Sequence, residues 1–135
     1  MKQGYQRSLK VAMTCVALLG ASHAWAGSVH FVAPHDGAQV GQDVTVVMAV
    51  EGMQVHAAGD VIAHTGHHHV IVDGAFIPKG ESVPKDATHK HFGKGQTKTV
   101  LHLTPGEHTL TLQFADGHHH SYGKAMSESI RVHVR

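Results

Sequence analysis

Along residues 27–135 the apolar positions alternate with a period of two and never settle into helical spacing. Val29 and Phe31 open a first short strand at 29–32, stopped by Pro34 and the turn Asp36-Gly37. Residues 43–50 put Val44, Val46, Met48 and Val50 on one face. Residues 68–72 are rich in β-branched side chains and end at Asp73-Gly74. Thr97, Thr99, Leu101 and Leu103 share a side of 97–103, and Pro105-Gly106 turns the chain. A strand at 108–114 then groups Leu110, Leu112 and Phe114, and Ile130, Val132 and Val134 line the last one. Residues 51–66 read as a loop with at most a short edge strand, and 74–95 as a long loop. Six or seven short strands between Gly and Pro turns predict an all-β fold, an antiparallel immunoglobulin-like β-sandwich.

The first 26 residues change the picture. Lys2, Arg7 and Lys10 precede an apolar run at 11–19, and Ala24-Trp25-Ala26 supplies the small residues of a cleavage site. The run falls short of the roughly 20 residues that span a bilayer. These residues are expected to be a secretory signal, followed by a single domain at 27–135 that is periplasmic or secreted and keeps no membrane anchor. Cys15 lacks a lipobox-like context and precedes the expected cleavage site, so the exported part would hold no cysteine and no disulfide. Removing the three basic residues leaves 8 Lys and Arg against 10 Asp and Glu, a net charge of −2. No clustered basic face remains for nucleic acid.

The chemistry lies in the histidines. The chain has 16, and His23 alone falls within the first 26 residues. Most of the others gather in HTGHHH (64–69), THKH (88–91) and GHHH (117–120). Neutral imidazole is the commonest protein ligand for zinc and copper. In a strand His67 and His69 share a face that His68 does not, and His89 and His91 repeat the i, i+2 arrangement. Loops gather at the ends of a sandwich, so the three groups are placed to converge. His108, after a Pro-Gly turn, is expected to be half-buried and bonded to a turn carbonyl, whereas His102 and His133 should face solvent. Met48 is in register with core valines, and Met53 and Met126 are too scattered for a methionine copper motif.

Catalytic patterns are thin. There is no HExxH, no nucleophile elbow and no cysteine after residue 15. Gly93-Lys94-Gly95-Gln96-Thr97 lacks the full phosphate-loop spacing and precedes a strand rather than a helix.

GHHHVIVD (66–73), HKHFGKGQT (89–97), LTPGEHTLTLQFAD (103–116) and HSYG (120–123) together resemble the domain of unknown function 4399 family, over about residues 43–134. The resemblance implies a small exported protein of no established activity, a single β-sandwich domain and a site built from shared histidines. The matching positions are His67, His68, His69, His89, His91 and His119, with Asp73, Asp116 and Tyr122 nearby; His118 and His120 fall where the pattern varies. One departure is Ala57-Ala58-Gly59, where a proline is expected before the alanine.

The expectation is a transition-metal site, copper or zinc, with His67, His69, His89, His91 and His119 as ligands and His68 a possible sixth. Asp73 or Asp116 would orient a ring from outside. The expected role is sequestration or delivery of the ion. The alternatives are a non-enzymatic, pH-sensitive interaction or assembly module, and a metal-dependent enzyme of unknown substrate.

Overall fold

The computed structural model describes Gly20 and residues 27–135, so the expected export signal at 1–26 lies, Gly20 aside, outside the described residues. The fold is all-β, with nine strands among the described residues, arranged in two sheets. β1 (Ser28–Ala33), β3 (Asp43–Glu51) and β7 (Lys98–His102) form the smaller, antiparallel sheet. The larger sheet curls, in the order β2 (Ala38–Val40), β9 (Ser127–Val134), β8 (Gly106–Ala115), β5 (Thr65–Val72) and β4 (Gln54–Val55). β6 (His89–His91) also pairs with β5. Two short flanking strands, β2 and β4, run parallel to their neighbours, and the other pairings are antiparallel.

The alternating residues do what their period requires. Val29, Phe31, Val44, Val46, Met48 and Leu101 of one sheet meet Val70, Leu110, Leu112, Phe114, Ile130, Val132 and Val134 of the other, and this contact is the hydrophobic core. Met126 joins it and Met53, half-buried, packs against its edge. Among the described residues no helix is long and apolar enough to cross a membrane.

The segment read as a long loop at 74–95 is more ordered than its composition suggests. It contains β6, and its first half is drawn over the outer face of the larger sheet. The Thr111 hydroxyl donates to the Gly74 carbonyl at 2.8 Å, and Gln113 Oε1 accepts the Ile77 amide at 2.9 Å. Gln113 Nε2 donates to the carbonyls of Gly123 and Met126, so one buried amide side chain ties two segments to β8. The chain beyond is stitched to residues 119–121 by three backbone bonds. They are Gly80 N–H to Ser121 O, Ser121 N–H to Glu81 O and Val83 N–H to His119 O, at 2.8, 2.8 and 2.9 Å. With this cover on one side and the core on the other, both faces of β5 are covered and all but its last residue are buried.

Candidate metal centre

Two adjacent strands and one turn build the site. In β5 the register sets His67 opposite Ala115 and His69 opposite Gln113 of β8, on the outer face of the sheet. Ala115 is small, which leaves space beside its strand for imidazole rings. On its other side, His69 pairs with His91 of β6. His119 arrives from the turn after β8. There the Asp116 carboxylate accepts the amides of His118 and His120, both at 2.9 Å, and the His119 amide donates to the Asp116 carbonyl. That turn holds His119 at φ 67°, a left-handed conformation usual for glycine and costly by about 1–2 kcal/mol for other residues. The bond from Val83 to its carbonyl helps to hold it there.

The four rings converge. His67 Nε2 lies 3.0 Å from His119 Nδ1 and 3.1 Å from His91 Nε2. One nitrogen from each of His67, His69, His91 and His119 lies within 4.8 Å of all the others. For metal–nitrogen bonds of 2.0–2.1 Å, neighbouring ligand atoms stand about 2.9 Å apart in a square and about 3.3 Å apart in a tetrahedron. His67 is therefore already at coordinating distance from two partners.

Burial is graded across the cluster. His67 is 0% and His69 2% exposed, His119 is half-buried, and His91 reaches the surface. Burial, followed by the positive charge that His119 and His91 would carry, pushes the His67 pKa down to about 4. His69 falls to about 3, again chiefly through burial and then through His67, His91 and His119. Burial also lowers His91, with His119 and Lys85 adding to the effect. At neutral pH these three rings are neutral and keep a lone pair for an electrophile.

The structure leaves two of the six expected ligands outside. His68 points to the core side of β5, its ring 5.1 Å from that of Phe114, and among the described residues neither of its nitrogens has a hydrogen-bond partner. Burial pushes its pKa down to about 4. His89 shares a face with His91 but stands opposite Ile71, two residues along the strand, or about 6.6 Å from the His69 level. Its Nδ1 bonds Asp86 at 2.7 Å and holds that carboxyl below the usual range.

The expected orienting carboxylates also do other work. Asp73 Oδ2 accepts from His108 Nδ1 at 2.8 Å, while His108 Nε2 donates to the Thr104 carbonyl. With both nitrogens donating, His108 is stabilised as the cation and its pKa rises, the Asp73 bond being the largest cause. Its turn-anchoring role is as expected. Asp116 shapes the backbone around His119, and His67 Nδ1 has no hydrogen-bond partner among the described residues. Tyr122 donates to the Thr65 carbonyl at 2.7 Å and packs on the core.

Sequence reasoning missed the loop residues that complete the surroundings. His69, His91 and His119 border a cavity of about 70 Å³ that Val83, Pro84 and Lys85 also line. The one hint was Val83, a lone apolar residue in a polar stretch. It also missed Gly93: a Cβ there would lie 2.6 Å from Cε1 and 2.7 Å from Nε2 of His91, so the bare backbone leaves space for that ring.

The family model described as domain of unknown function 4399 matches residues 46–135. No curated protein and no solved structure matches the chain.

Proposed function

The chain belongs to the domain of unknown function 4399 family, and we propose that its role is to bind one transition-metal ion through His67, His69, His91 and His119. The observation that carries this reading is the convergence of four imidazole nitrogens within 4.8 Å of one another, two of them on buried rings. Four neutral imidazoles without a thiolate suit copper(II) or zinc. His91 at the surface provides a route for exchange, which suits sequestration or delivery. Beside the cluster, Asp116 is engaged with turn amides and the Tyr122 hydroxyl with Thr65, which favours binding over turnover. An exported setting, supported by the basic and apolar pattern of residues 1–26, would give the protein access to extracytoplasmic metal. The immunoglobulin-like reading of the sandwich is supported by the split between the β1-β3-β7 sheet and the larger one.

The test is metal content by mass spectrometry on untagged protein, with copper and zinc titrations at neutral pH. One tightly held ion per chain is expected. Several weak equivalents, or none, would overturn the proposal. Gly93→Ala supplies a geometric check. The added methyl displaces the His91 ring and should weaken binding by about 10-fold, by analogy with disturbing a ligand's supporting shell. Unchanged affinity by calorimetry would remove His91 from the ligand set.

A further inference from the structure

The cluster is walled unevenly. His69, His91 and His119 border the 70 Å³ cavity, whereas His67 does not and is fully buried behind them. An ion held by all four nitrogens has His67 on one side and the cavity on the other. Its remaining face is the one framed by the three cavity-lining rings. Zinc sometimes expands to five ligands, and copper(II) favours tetragonal geometry with room for a further ligand.

The donor set is also uncharged. Imidazoles without a carboxylate or thiolate leave a dication with its full charge, and a bound cation of this kind dominates the local field. Lys85 lines the same cavity and adds a second positive charge. The space is enough for a ligand of a few atoms.

We propose that the coordination position opposite His67 opens through this cavity to a small inorganic anion, which binds the ion as an extra ligand and is favoured by Lys85. The proposal rests on the metal-centre reading, and the experiment separates the two. Copper(II)-loaded protein, its metal content measured first, is titrated with azide and followed by azide-to-copper charge-transfer absorption and electron paramagnetic resonance.

A saturable one-site change is expected. Lys85→Ala should raise the azide dissociation constant about threefold to tenfold, with Lys85→Arg close to the parent, as befits one partly screened charge. Val83→Phe fills the cavity and should abolish the azide response while copper content is kept. Failure to load copper defeats the metal-centre reading itself. Loaded protein whose spectra ignore saturating azide overturns the open position, as does an azide affinity unmoved by both Lys85→Ala and Val83→Phe.

Discussion

Replacing His67 with alanine should reduce copper or zinc affinity by at least about 100-fold, more than disturbing a residue outside the ligand set does. His67 is the ring whose nitrogen touches two others, at 3.0 and 3.1 Å, and the one placed behind the rest. Its loss leaves three imidazoles facing a gap on their buried side. His68→Ala and His89→Ala are the matched controls, one a sequence neighbour on the core face and the other bonded to Asp86. Both should stay within about threefold of the parent, since neither belongs to the converging set of four. Chelator competition monitored by fluorescence or mass spectrometry resolves these differences. Equal losses in all three variants would mean that the histidines act as a diffuse surface, and the converged site would have to be given up.

Metal-free protein should lose stability steeply on mild acidification. His67, His68 and His69 are buried as neutral rings with pKa values of about 4, 4 and 3, against about 6.5 in an unfolded chain. Between those values the unfolded state holds more protons than the native one, so stability rises with pH across the window and falls as pH drops. Each such group can contribute up to about 1.4 kcal/mol per pH unit. Allowing for mutual coupling, a loss on the order of 3 kcal/mol between pH 6.5 and pH 5 is expected, or roughly 10 °C in Tm for a domain of this size. His108 has the opposite sign: its raised pKa contributes stability that is present below 6.5 and fades as pH climbs through its folded value. Calorimetry with and without bound zinc measures the slope, and His68→Phe should flatten it while sparing metal affinity. A Tm constant from pH 7 to pH 5 without metal would contradict the buried neutral rings.

Much of the fold was legible because period-two alternation survives wherever one face meets the core. The expected strands at 43–50 and 108–114 became Asp43–Glu51 and Gly106–Ala115, with the anticipated residues inward. The pattern failed where both faces are covered. β5 begins at Thr65 rather than 68 because its outer face is roofed by chain held on Gln113 and Thr111, and no alternation marks it. β2 was missed, and β4 was foreseen only as an unplaced short edge strand within 51–66, because two or three residues carry no periodicity. The site was half legible. Spacing put His67 and His69 together and opposed them to His68. It could not tell that His89 sits one level too far along β6, since that depends on the β5–β6 register. Nor could it tell that Asp116 would work through the backbone, which needs the turn geometry of His119.

The four converging nitrogens come from parts of the chain that are far apart in sequence: His91 is 24 residues and His119 is 52 residues from His67. An ion joining them closes those loops covalently in effect, and so restricts the unfolded ensemble as a cross-link does. The chain has one cysteine and therefore no internal disulfide with which to do this. A metal at this position would fasten the roofing loop, β6 and the 116–119 turn to the sheet at one point. Loading would then decide how long the folded protein survives proteases, as well as what it carries.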